Sequence, residues 1–140
     1  MNIDYCLEQK MIKKDPTVKN RVKKSLESSN HFLKASKKNY DINENEMVLI
    51  ASYNSIFHSI RALLYNKGYT ERSHYCLFIA VKELYKQEQE LIRLITTADK
   101  IRTSRHNTQY NWQSIDENEA KFTIEIAERI LKKVKKYLKK

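Results

Sequence analysis

The stretch ASYNSIFHSIRALLYNKG, residues 51–68, decides the fold. It lies inside a longer helical pattern that opens at Asn43, where Glu46 three residues on completes a capping box. The pattern stops at Gly68, a suitable left-handed residue after Lys67. At 1.5 Å per residue such a helix spans roughly 35 Å. Met47, Leu49, Ile50, Tyr53, Ile56, Phe57, Ile60, Leu63 and Leu64 fall on nearly every side of it. A helix apolar on most sides is a central one. Ala51, Ser55, Ser59 and Ala62 form a row of small residues along one face. That row predicts the close approach of a second helix and leaves its serines a packing role. His58 reads as a satisfied core histidine, with Arg61 one turn on.

Other helices must cover this one. Residues 2 to 13 predict a short first helix, with Ile3, Leu7 and Met11 on one face. Asp15-Pro16 is a start signal, Asp as N-cap and Pro at the first helical position. A second helix then runs to about Tyr40. Its stripe is Val18, Val22, Leu26, Ser29, Leu33 and Ser36, with Phe32 beside it, and its other side carries Arg21, Lys23, Lys24, Lys34, Lys37 and Lys38. A fourth helix is expected from Thr70–Ser73 to about Tyr85. Periodicity alone permits a buried strand over Tyr75–Val81, but no second candidate strand exists to pair with it. A fifth helix runs from about Gln87 to Thr108. The last starts at Asp116, an N-cap supported by Glu119. Its seam is Ala120, Ile124, Ala127, Leu131, Val134 and Leu138, regular enough to pack on another helix.

Composition agrees with this reading. One Gly and one Pro in 140 residues leave too few turn residues for a β-rich chain. The expected fold is an all-α, antiparallel up-and-down bundle of about five to six helices. Residues 15–140 form the bundle domain, and residues 1–14 a short N-terminal helical extension. A formal charge of +10 suits polyanions or an acidic partner protein, and equally a Lys-rich solvated surface. The basic end of the last helix, Lys132, Lys133, Lys135, Lys136, Lys139 and Lys140, suits the helix dipole, with RNA contact as the alternative. Cys6 and Cys76 lie far apart in sequence, with no CxxC pair and no metal-ligand cluster. They read as reduced, packed thiols of a cytoplasmic protein. No metal and no cofactor is expected. The N-terminus has no signal-peptide core, and no uninterrupted apolar run approaches a membrane span.

The polar chemistry gathers at residues 102–112, RTSRHNTQYNW. Leu91, Leu94, Ala98 and Ile101 make an apolar helical stripe, and the next position on that face is Arg105. A charge continuing a buried stripe must find an anion, a partner or water. Arg102 and His106 stand four apart, so a helix there would put them on one face.

With the helices placed, the sequence resembles the HEPN family, the higher eukaryote and prokaryote nucleotide-binding domain. Three segments carry the resemblance. Residues 51–64 with Lys67-Gly68 look like the family's third-helix pattern of tyrosine, Phe-His, Arg-Ala-Leu-Leu and Lys-Gly. Ser73-His74 opening an apolar helix looks like the next. Arg105-His106-Asn107-Thr108-Gln109-Tyr110, followed by an acidic cap and a final helix, is similar to the arginine-to-tyrosine signature. The similarity covers about residues 17 to 138 and is nearest to small prokaryotic members encoded beside minimal nucleotidyltransferases.

The resemblance implies a homodimer whose arginine motifs face each other across a cleft. It also implies a toxin–antitoxin-type system with a nucleotidyltransferase partner, acting on RNA or nucleotide. Active members are metal-independent endoribonucleases with an arginine, four to six residues, then histidine. Here those positions hold Tyr110, Asn111 and Trp112 counted from Arg105, and Asn107, Thr108 and Gln109 counted from Arg102. Cleavage through the 2′-hydroxyl needs a group that exchanges protons near neutral pH and a cation for the phosphorane. Tyrosine suits binding and stacking better. The candidate catalytic residues are therefore Arg105, His106 and Arg102. The candidate RNA- or nucleotide-binding residues are Arg105, Asn107 and Tyr110, with Tyr110 also a candidate for nucleotidyl modification. The alternative is a non-catalytic nucleotide- or partner-binding subunit of a nucleotidyltransferase complex.

Overall fold

The computed structural model describes residues 2–139; Lys140 of the basic tail lies outside the described residues. The chain forms α1 (Ile3–Glu8), β1 (Ile12–Lys14), a 3₁₀ helix (Pro16–Arg21), α2 (Val22–Asp41) and α3 (Asn45–Asn66). Then come β2 (Tyr69–Glu71), α4 (His74–Leu84), α5 (Gln89–Asn111) and α6 (Glu117–Leu138). The architecture is an all-α bundle.

α3 is the centre. It packs against α2, α4, α5 and α6, and its buried residues run from Val48 to Tyr65 on nearly every side. It is also long and apolar enough to cross a membrane, yet 72% of that window is buried inside the bundle. A central core helix meets the same composition. The small-residue row works as expected, and α2 is the helix that approaches. Ser29 Oγ donates to the Ser55 carbonyl at 2.8 Å and lies 2.7 Å from Ser59 Oγ, while Ser25 Oγ donates to the His58 carbonyl at 2.7 Å. Small residues on both helices bring the backbones close, and the hydroxyls satisfy one another in a dry contact.

The helix ends follow local chemistry. Asp15 caps the 3₁₀ helix by accepting from the Thr17 N–H at 3.1 Å. Asp116 Oδ1 accepts from the Glu119 N–H at 2.8 Å, and Ser73 Oγ from the Cys76 N–H at 3.2 Å. Gly68 takes φ +80°, the left-handed exit from α3. The capping box expected at Asn43 and Glu46 is not formed. Asn43 has φ +62° and donates its N–H to the Tyr40 carbonyl. It closes the C-terminus of α2, a position where asparagine tolerates the left-handed region. Glu44 precedes α3 with no side-chain cap.

The N-terminal segment differs most from its reading. The first helix stops at Glu8, and Lys10 turns the chain at φ +59°. Residues 12–14 then pair antiparallel with residues 69–71, Ile12 opposite Glu71 and Lys14 opposite Tyr69. Ile12 and Cys6 are buried, whereas Leu7 and Met11 of the expected apolar face are exposed. Two three-residue strands are too short for a periodicity signal. The cysteines are likewise not separate thiols. Cys6 of α1 and Cys76 of α4 form a disulfide, with Cα atoms 5.7 Å apart. The contact of α1 with α4 brings them together, and nothing in a 70-residue separation announces it.

Candidate functional site

α5 extends to Asn111, so the whole segment from Arg102 to Tyr110 is helical. Side chains along it therefore fan out by helical geometry. Arg105 points inward. Its guanidinium lies 4.7 Å from the centroid of the Tyr53 ring on α3, a cation–π contact. Its Nη1 donates to Gln109 Oε1 at 3.0 Å. Its Nε is shut off from solvent and has no hydrogen-bond partner. Arg105 also acts on the Tyr53 hydroxyl by charge and by hydrogen bonding, both lowering its pKa.

Tyr53 carries the contact on to α4. Its hydroxyl is 2.6 Å from His74 Nδ1. Burial pushes the Tyr53 phenol up to about 12, against the opposing pull of the Arg105 charge. The phenol therefore keeps its proton near neutral pH, and one tautomer of His74 accepts it at Nδ1. The neutral His74 ring then carries its own proton on Nε2, pointing away from Tyr53. Burial of the ring against its aromatic neighbours, and then the Arg105 charge, lower the His74 pKa below the ordinary histidine value. His74 stacks on Phe57 at 4.2 Å between centroids. The trio Arg105, Tyr53 and His74 thus sets a cation beside a phenol–imidazole pair.

The remaining candidates go elsewhere. Arg102 Nε donates to Asp99 Oδ1 at 2.8 Å, and its guanidinium lies 5.7 Å from the Tyr75 ring. His106 is exposed, with its ring 5.0 Å from that of Tyr110. Arg102 and His106 are therefore each engaged with other groups. Asn107 Oδ1 accepts from Asn111 Nδ2 at 3.2 Å. Tyr110 is 58% exposed, and Trp112, which ends the helix at φ +58°, is 93% exposed. His58 is half-buried rather than enclosed. Its ring stacks parallel on Phe32 of α2, 5.5 Å away, and meets the edge of Phe57.

Tyr53 and His74 were not among the residues assigned to the site from sequence. They lie on α3 and α4, far from Arg105 along the chain. The signal that points to them is that both belong to the segments carrying the family resemblance. A tyrosine of α3, a histidine of α4 just after its Ser73 cap and an inward arginine of α5 thus meet in one cluster on an all-α bundle. A HEPN-domain profile matches residues 22–137. The chain belongs to the HEPN family, a membership that supports a nucleotide- or RNA-related function in general. A search of curated proteins found no match.

Proposed function

We propose that this protein is the HEPN component of a toxin–antitoxin-type HEPN/nucleotidyltransferase pair, binding RNA or nucleotide through phosphate at Arg105. The observation that carries the reading is the half-buried Arg105 guanidinium, held against the Tyr53 ring and engaged by no ion pair among the described residues. A phosphate would supply the counter-charge that this guanidinium lacks. A homodimer cleft is part of this proposal; the cytoplasmic setting expected from reduced thiols loses that support once Cys6 and Cys76 are bonded. The exposed Tyr110 is an accessible acceptor for a partner nucleotidyltransferase. Its phenol oxygen would bond to the α-phosphorus of a nucleoside triphosphate, pyrophosphate would leave, and the phenol proton would pass to solvent.

The tautomer argument favours binding over cleavage. With Nδ1 accepting from Tyr53, neutral His74 has no open lone pair to act as base. The test is binding of a fluorescent single-stranded RNA and of a mononucleotide by anisotropy and calorimetry, alongside cleavage of end-labelled RNA in EDTA. Arg105→Ala is expected to weaken binding about tenfold or more, without cleavage by the unsubstituted protein. Binding unchanged in Arg105→Ala would overturn the assignment. Cleavage in EDTA that disappears with Arg105→Ala, His74→Ala or His106→Ala would replace the binding reading by a nuclease.

A further inference from the structure

A second cationic pocket lies where α2 meets α3. It is a cavity of about 200 Å³ whose lining includes Arg21, Lys24, Ser28, His58, Arg61 and Tyr65. Three of these are permanent cations, and no carboxylate lines it. Among the described residues no ion pair engages Arg21 or Lys24. Arg61 is held by Glu71 through Nε and Nη2, both at 2.8 Å, which leaves Nη1 outside that fork. The His58 wall of the pocket is fixed. Ser25 Oγ bonds the His58 carbonyl across the two helices, and the His58 ring is held flat against Phe32. Clustered cations around a small hollow with an imidazole and a hydroxyl in its wall suit an anion of the size of a phosphate group.

One buried side chain lies between the hollow and the Arg105–Tyr53–His74 cluster. The Phe57 ring touches His58 at 5.3 Å and Arg61 at 4.6 Å, and stacks at 4.2 Å on His74, which Tyr53 links to Arg105. We propose that the Arg21–Lys24–His58–Arg61 pocket is a second phosphate subsite, taking a phosphodiester of the same single strand that occupies the Arg105 cleft. This rests on the proposed function for the strand, but not for the phosphate. A single strand needs successive cations along its backbone.

The experiment follows the His58 ring signals by NMR while inorganic phosphate is added, in the unsubstituted protein, in Arg21→Ala/Lys24→Ala and in Arg105→Ala. Both residues of the double variant are exposed, so the fold is preserved. Affinity for a fluorescent oligouridylate is then measured against salt for the same three proteins. The expected result is a saturable His58 shift that persists in Arg105→Ala and is lost in the double variant. That variant should also bind oligouridylate about tenfold more weakly, uniformly across sequences, with the log–log salt slope reduced by about 1. A His58 signal indifferent to phosphate, or moving equally in the double variant, would overturn the subsite. A phosphate response with an unchanged salt slope would overturn the shared strand and assign the pocket to free phosphate or a mononucleotide. A phosphate response in a protein that binds no oligouridylate would sink the RNA reading of the Arg105 cleft while supporting the pocket.

Discussion

Arg105 is a charge at the end of an apolar stripe, and its surroundings explain why it is tolerated there. Tyr53 offers the face of its ring, Gln109 takes one N–H, and Nε is left unmatched. The Tyr53–His74 bond is the point at which binding and cleavage chemistry part. Tyr53→Phe removes a donor that stabilises neutral His74, so the His74 pKa should rise in that variant, read by NMR titration. A fall would mean that Nδ1 carries the proton and that Nε2 is open as a base. The loss of the bond should also lower stability by about 1 kcal/mol. Both His58 and His74 have pKa values below the ordinary one, by burial first and then by Arg61 and Arg105 respectively. As pH falls through about 6.5, the unfolded chain binds these protons before the folded chain does. Stability is therefore full above that pH and declines below it. A urea midpoint that falls between pH 7.5 and 5.5, with a smaller fall in His58→Gln, is the expected outcome.

At the scale of elements, the α2–α3 contact is built from hydroxyls and absent side chains. Ser29 is fully buried and bonded to Ser55 and Ser59. Ser29→Leu should force the helices apart, costing about 1–3 kcal/mol or more. Ser29→Ala should cost about 1 kcal/mol, because its partners can still bond each other or nearby carbonyls. Chemical denaturation distinguishes the two. The same contact carries function, since Ser25 and Phe32 of α2 fix the backbone and ring of His58. At the other end of α3, Gly68→Ala meets the left-handed φ and Lys19 Cε at 3.4 Å from the added Cβ. Its expected cost is about 1 kcal/mol. Loop chemistry was legible where a residue had one use, as at Asp15, Gly68, Ser73 and Asp116. It failed at Asn43, where the ending of α2 and the start of α3 compete for the same residue and the left-handed exit prevails.

For the whole molecule, the Cys6–Cys76 disulfide ties the N-terminal segment onto α4, two residues from His74. Closing a 70-residue loop stabilises a chain by up to about 4 kcal/mol through the unfolded state. Reduction, or Cys6→Ser with Cys76→Ser, should lower the denaturation midpoint by an amount within that limit. An unchanged midpoint after confirmed reduction would show that the β1–β2 ladder and Ile12 hold the segment alone. Net charge of +10 acts at this scale as well. It steers any polyanion toward the surface.

The amino-acid pattern by itself determined the helices, the central position of α3, the face on which α2 approaches, and the inward direction of Arg105. These depend on 3.6-residue periodicity, side-chain size and local capping, all carried by neighbours within a few positions. The tertiary structure alone decided the Cys6–Cys76 bond, the β1–β2 ladder, and the meeting of Arg105 with Tyr53 and His74. Each joins residues dozens of positions apart, on elements whose relative placement follows from packing around α3. No local spacing encodes such a meeting, because its energy comes from the shared burial of surfaces that touch only once the bundle has closed.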